Sequence, residues 1–144
     1  MQPVEELSAK FRARGLRVTA QREAIFAALY GDESHPTVEA LFDRVRAGVP
    51  AISLKTVYQT VHDLDALGEV QLLDLGTGSV RVDPNVDDAH HHLVCTVCGR
   101  VRDLPISFDG LQLPARYRRG FTVDHAQVIF RGRCVSCSDK RPKE

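Results

Sequence analysis

The sequence predicts an α+β protein in two parts: a helical N-terminal half and a small α/β C-terminal half. Three observations predict it. Apolar residues recur at helical spacing through residues 20–67. A glycine-centred turn then separates two β-rich runs. The only four cysteines of the 144 residues fall in the second half, as two pairs, Cys95-Thr96-Val97-Cys98 and Cys134-Val135-Ser136-Cys137.

The helical elements carry recognisable start and stop signals. Residues 4–14 read as a first helix of mixed character. Thr19 offers a side-chain cap for a second helix over residues 20–30, whose apolar stripe is Ile25, Phe26 and Leu29. Pro36-Thr37 opens a third, in which Val38, Leu41, Phe42 and Val45 fall at i, i+3, i+4 and i+7. Pro50 and Ser53 introduce a fourth over residues 54–67, striped by Val57, Val61, Leu64 and Leu67 and ended by Gly68. Two β-rich runs, 70–75 and 79–82, flank Gly76-Thr77-Gly78 and predict a hairpin. Helices followed by a hairpin outline a winged helix-turn-helix.

The second half predicts a short strand from His90, a CxxC knuckle, a strand over 101–104, a helix over about 107–118, and a long strand over 121–131 running into the second CxxC. Pro84 and the acidic Asp87-Asp88 mark the connection. The expected division is a winged-helix domain over 1–83, a hinge over 84–89, and an α/β metal-binding domain over 90–144; DNA binding by the first and dimerisation by the last are what the family resemblance given below implies. The charged tail 139–144 is expected to fray.

Composition narrows the classes. Nineteen basic and nineteen acidic side chains cancel, so no global field favours nucleic acid and local charge must carry any such role. No apolar run is long enough to span a bilayer, and the first residues lack the basic and apolar parts of a signal peptide. The expected location is the cytoplasm, where paired CxxC motifs hold metal more often than disulfides. Cys95, Cys98, Cys134 and Cys137 together supply the four thiolates of a closed tetrahedral zinc site, which is structural because no position stays open.

The histidine run His90-His91-His92 suggests a second metal. On an extended segment His90 and His92 share one face while His91 takes the other. With His35, Asp83 and Asp103 they make a nitrogen and oxygen donor set without thiolate. Such a set suits ferrous iron or manganese, although zinc also binds it. A solvated histidine run is the competing reading. The DNA reading rests on Ser53, Lys55, Thr56, Tyr58 and Gln59 at the start of the fourth helix, with Arg12, Arg14, Arg17 and Arg22 available for phosphates. A solvated polar face accounts for the same residues. No HExxH helix or similar general base supports a metalloenzyme, so none is expected. A zinc-dependent adaptor remains a third class, which substitution of Lys55 and Tyr58 separates from a DNA-binding protein.

Taken together, the stretches Gly15-Leu16-Arg17-Val18-Thr19-Ala20-Gln21-Arg22, Ser53-Leu54-Lys55-Thr56-Val57-Tyr58-Gln59-Thr60, His90-His91-His92-Leu93-Val94-Cys95-Thr96-Val97-Cys98-Gly99 and Cys134-Val135-Ser136-Cys137 resemble the ferric uptake regulator superfamily in residues and in order. The resemblance implies a cytoplasmic homodimer that binds a palindromic operator in double-stranded DNA, with no membrane and no small-molecule substrate. It implies structural zinc at the four cysteines. It also implies a regulatory iron or manganese at His35, Asp83, His90, His92 and Asp103, which closes the dimer. Aspartate at position 83 resembles the peroxide-sensing branch, in which bound ferrous iron oxidises a ligand histidine, here His35 or His90. The alternative within the family is a reversible iron- or other metal-responsive regulator. Pro84 and the length of the stretch to His90 leave Asp87 or Asp88 open as the ligand in place of Asp83. Gln59 stands where many members carry arginine. Some relatives carry a further metal site around the intervening histidine and a later one, for which His91 and His125 are the candidates here; a satisfied core or interface histidine is the competing reading of His125. His62 is expected to face solvent or DNA.

Overall fold

The computed structural model describes residues 1–108, 111–124 and 126–139. The chain divides into two compact units, Met1–Asp87 and Asp88–Glu144.

The first unit holds α1 (Val4–Ala13), α2 (Ala20–Leu29), α3 (Val38–Arg46) and α4 (Leu54–Ala66), then β1 (Gln71–Leu73) and β2 (Arg81–Asp83). Three helices begin as the sequence predicts. The hydroxyls of Thr19, Thr37 and Ser53 accept from the backbone N–H of Arg22, Ala40 and Thr56, each satisfying one orphaned donor of a first turn. α4 ends in a Schellman motif. The Gly68 N–H reaches the Asp65 carbonyl and the Glu69 N–H reaches the Leu64 carbonyl, both at 2.9 Å. Gly68 takes φ +71° to make that turn, a conformation that costs glycine nothing. The apolar stripes meet in one core. Leu7 and Phe11 of α1, Ile25, Phe26 and Leu29 of α2, Leu41 of α3, and Val57 and Leu64 of α4 are fully buried. Phe11 and Phe26 pack edge to face at 4.8 Å. Lys10 ties α1 to the end of α4 through Glu69 at 2.6 Å and the Leu67 carbonyl at 3.1 Å. β1 and β2 pair antiparallel with Leu72 opposite Val82, and the loop between them begins with Asp74 accepting from the Gly76 N–H. This is the expected winged arrangement, with strands shorter than the β-rich runs.

The second unit is a three-stranded sheet. β3 (His91–Cys95) lies between β4 (Val101–Leu104), antiparallel to it, and β5 (Ile129–Gly132), parallel to it. Two expectations are corrected here. The helix over 107–118 does not form among the described residues, where only a 3-10 turn at Ala115–Tyr117 appears. Pro114 and Gly110 lie inside that stretch, and each works against a helix interior. The strand over 121–131 reduces to Ile129–Gly132. β5 pairs only with β3, which is itself five residues long, so the earlier part finds no strand partner among the described residues. Of the tail, residues 140–144 lie outside the described residues. No helix among the described residues is long and apolar enough to cross a membrane.

Candidate metal centres and nucleic-acid face

The cysteine cluster is assembled by the ends of β3 and β5. Cys95 closes β3, and the chain turns back at once, with the Gly99 N–H on the Cys95 carbonyl and the Cys95 N–H on the Arg100 carbonyl, both at 2.9 Å. The Thr96 N–H reaches Gly132 at 2.8 Å, which brings the start of the second knuckle beside the first. Cys134 and Cys137 then sit at either end of a single 3-10 turn, Val135–Cys137 with Cys134 as its cap. The four Sγ atoms lie within 4.8 Å of one another. Cys98 and Cys134 are 3.8 Å apart at sulfur. Tetrahedral thiolates about 2.3 Å from zinc are separated by about 3.8 Å, whereas a disulfide needs about 2.05 Å. All four cysteines are free thiols. The backbone N–H groups of Cys134 and Cys98 aim at the Cys95 sulfur and lower its pKa to about 6. Burial pushes Cys137 up to about 12. The site therefore prepares one thiolate with donors and buries another ligand, and its donor set fits zinc.

The histidine and aspartate residues form one cluster in each unit. In the first unit, His35 is fully buried and sits at φ +50°, in the left-handed region that few residues with a side chain occupy. Its Nδ1 is 2.9 Å from the Glu33 carbonyl. A carbonyl can only accept, so Nδ1 carries the proton and Nε2 keeps its lone pair when the ring is neutral. That Nε2 lies 3.6 Å from Oδ2 of Asp83, itself buried, while Asp83 Oδ1 accepts from the Asn85 N–H at 2.9 Å. In the second unit the pattern repeats. His90 Nδ1 donates to the Asp88 carbonyl at 2.8 Å, and its Nε2 is 3.5 Å from Asp103 Oδ1. His92, fully buried in the central strand and opposite Asp103 in register, places Nε2 3.5 Å from the same oxygen. These separations exceed hydrogen-bond length. They match the spacing of about 3–3.6 Å between two ligands that share one ion at about 2.1 Å. Of the alternative ligands, Asp87 has a carboxylate 81% exposed, paired with the Met1 amino group, and Asp88 is exposed and contributes its carbonyl.

His91 points to the opposite face of β3. Its Nδ1 accepts from the Val128 N–H at 2.9 Å, and its ring packs on Phe108 at 4.8 Å. Its expected co-ligand His125 lies outside the described residues.

On α4 the expected DNA residues divide. Lys55 is exposed, as is Arg17 before α2. The Ser53 hydroxyl is engaged as a cap and touches Thr56 Oγ1 at 2.9 Å. The Tyr58 hydroxyl donates to Glu39 at 2.5 Å, which holds the Glu39 carboxyl below its usual range and raises the phenol. Gln59 donates to Asp63 at 3.1 Å. Arg22 is committed to the fold: it pairs with Asp63 at 2.7 Å and lies over the Phe11 ring. Sequence reasoning missed two supporting residues. Gln127 contacts His92 Nδ1 at 2.8 Å, and Arg81 contacts the His35 carbonyl at 3.2 Å. Gln127 lies 35 residues from its partner and gives no sequence signal, whereas Arg81 could have been noted as a charge in a short strand beside Asp83.

Residues 13–131 match the profile of the ferric uptake regulator family. The chain belongs to the ferric uptake regulator family. As a member it is a metal-responsive transcriptional regulator rather than an enzyme. The peroxide-responsive repressor PerR of Staphylococcus aureus (strain Mu50 / ATCC 700699) is 31% identical over 138 residues, covering 95% of this chain and 93% of the relative. The transcriptional regulator FurA of Mycobacterium bovis (strain ATCC BAA-935 / AF2122/97) is 33% identical over 139 residues, covering 96% and 94%. Among solved structures, a zinc-bound manganese uptake regulator is 29% identical with a TM-score of 0.69, covering 93% of this chain and all of that one. The Helicobacter pylori ferric uptake regulator shares the fold with a TM-score of 0.73 at 18% identity, covering 97% of this chain and 99% of that one.

Proposed function

We propose that the chain is a cytoplasmic, homodimeric repressor that binds a palindromic DNA operator and releases it when peroxide reaches ferrous iron at His35, Asp83, His90, His92 and Asp103. The observation that carries this reading is the protonation pattern of the buried histidines. His35 and His90 each give the Nδ1 proton to a backbone carbonyl and turn Nε2 toward a carboxylate. Fixing the tautomer in this way prepares both rings as neutral ligands. The set lacks thiolate, which suits iron or manganese.

In this reading the residues divide their tasks. Cys95, Cys98, Cys134 and Cys137 hold a structural zinc ion. His35 and Asp83 belong to the winged-helix domain of residues 1–83, and His90, His92 and Asp103 to the domain of residues 90–144. One ion held by both sets restrains the hinge at 84–89 and favours the DNA-binding arrangement of the dimer. Exposed apolar side chains of the second unit, among them Leu111, Leu113, Phe121 and Phe130, support dimerisation there. Arg17, Lys55, Thr56, Tyr58 and Gln59 face DNA. Ferrous iron held by these residues would supply the electron that splits hydrogen peroxide, and one peroxide carries the two oxidising equivalents that place a single oxygen on His35 or His90 with water as the other product. Losing a ligand then opens the restraint.

Kinship with FurA and with a manganese uptake regulator favours a second reading, a reversible response to iron or manganese level. One experiment separates the two. The purified protein is loaded with ferrous iron or with manganese, treated with a low dose of hydrogen peroxide, and digested for peptide mass spectrometry. Peroxide sensing predicts single-oxygen additions on the peptides holding His35 and His90 in the iron form alone. Unmodified histidines at verified iron occupancy select the reversible regulator.

A further inference from the structure

Strand β2 carries Asp83 and, two residues earlier, Arg81. The Arg81 guanidinium joins two distant points of the first unit. Its Nη1 donates to the His35 carbonyl at 3.2 Å, and its Nε donates to the Thr77 hydroxyl at 3.3 Å. Thr77 lies in the loop between β1 and β2, and its own hydroxyl proton goes to the Ser79 carbonyl at 3.3 Å. The loop is thus tied back to the strand by a hydrogen-bond chain that starts at the backbone of His35. That backbone is held against β2 twice more: Val82 N–H donates to the Pro36 carbonyl at 2.9 Å, and Thr37 bridges Arg81.

We propose that Arg81 is a positioning residue that transmits the state of the His35–Asp83 pair to the tip of the wing, residues 74–80. The inference rests on the reading of His35 and Asp83 as metal ligands. A planar guanidinium offers donors at fixed angles, so it satisfies the His35 carbonyl and the Thr77 hydroxyl together only when both are in place. Ligation fixes the His35 ring and, through its left-handed backbone, the direction of its carbonyl. It also fixes Asp83, which shares a strand with Arg81. A displaced carbonyl breaks the bond to Nη1 and loosens the hold on the tip. The coupling is reciprocal: whatever factor metal adds to order at the tip, order at the tip adds to metal affinity.

The test uses the full-length protein and manganese, with hydrogen exchange by mass spectrometry over residues 74–80 and manganese affinity by electron paramagnetic resonance. Manganese slows exchange at the tip of the wild type about fivefold, a factor inside the usual range of coupling between sites. Thr77→Val removes the far end of the chain at a half-buried position of the loop, outside the hydrophobic core cluster. This variant still binds manganese, weakened by no more than the same factor, and its tip no longer responds. Arg81→Lys, which keeps the charge but not the fork, behaves likewise. Manganese bound by the wild type with no change at the tip overturns the coupling alone, and so does a full response in Thr77→Val. Failure of the wild type to bind manganese overturns the ligand assignment and the coupling together.

Discussion

Asp32 shows how one residue prepares a site that it does not touch. It precedes His35 by three positions, accepts from the Ser34 N–H at 2.9 Å, and pairs with Arg44 of α3 at 2.6 Å. Arg44 also reaches the Ala28 carbonyl and the Ser34 hydroxyl, so the loop is pinned to α3 just before the left-handed turn at His35. Burial by itself raises the Asp32 carboxyl, but the hydrogen bonds from Ser34 and Arg44 outweigh it and hold the group below its ordinary value. A depressed carboxyl stabilises the fold above the unfolded pKa of about 3.9, and that contribution fades as pH falls through the lowered folded value. Asp32→Asn should therefore melt below the wild type at pH 6, with the gap narrowing toward pH 3 in thermal scans. A gap that stays constant across that range would sink the argument. Such residues were not legible in the sequence. Arg22 looked like a free cation near DNA because its partner Asp63 lies 41 positions away, on another helix. Single residues with local partners, such as Thr19 or Ser53, were legible because their chemistry closes within one turn.

Elements were readable where local signals and burial agreed. α2, α3 and α4 each combine a capping hydroxyl with an apolar stripe, and each begins where the sequence says. The stretch 107–118 has the apolar spacing without the permission, since Gly110 and Pro114 interrupt it. The strand 121–131 has β-rich composition, but among the described residues it finds a strand neighbour only over Ile129–Gly132. Pairing, unlike capping, is settled by residues elsewhere in the chain. The turn after α4 tests the local half of this statement. A Cβ on Gly68 would meet nothing within 4 Å, so a substitution there feels only the positive φ. Gly68→Ala should cost about 1–2 kcal/mol, the left-handed penalty of a residue with a side chain, read as a lower urea midpoint at unchanged slope. A midpoint equal to the wild type would mean that the Schellman turn does not hold α4 in place.

At the scale of the whole molecule the two units differ in what holds them together. The first unit has a core in which all four helices bury side chains against one another and against Val70 and Val82 of the hairpin. In the second, the buried apolar side chains among the described residues are Val94 and Val101 plus the ligand cysteines Cys95 and Cys137. Large apolar groups such as Phe121, at 76% exposed, and Leu93, Leu111 and Phe130 remain at its surface. A sheet of three short strands with so small an interior falls below what a hydrophobic core alone sustains. Zinc at the four cysteines, together with the dimer contact proposed for these apolar groups, would supply the difference. Structural zinc bound by thiolates contributes about 10–16 kcal/mol in small domains at neutral pH, more than the whole stability of a unit this size. The charges point the same way. The unit Met1–Asp87 carries nine basic and thirteen acidic side chains, and Asp88–Glu144 carries ten and six, so the balanced total hides an acidic part and a basic part that repels itself. Stripping zinc, or replacing Cys98 with Ser, should therefore separate the two. The helical far-UV signal and its melt, which report α1 to α4, should persist. The amide protection of β3 to β5 and the proposed dimer, followed by sedimentation, should vanish together. Adding zinc back should restore both in the stripped wild type but not in Cys98→Ser. Strand protection that survives verified zinc loss would show that the second unit holds itself together by packing, and the cysteine cluster would then lose its structural role.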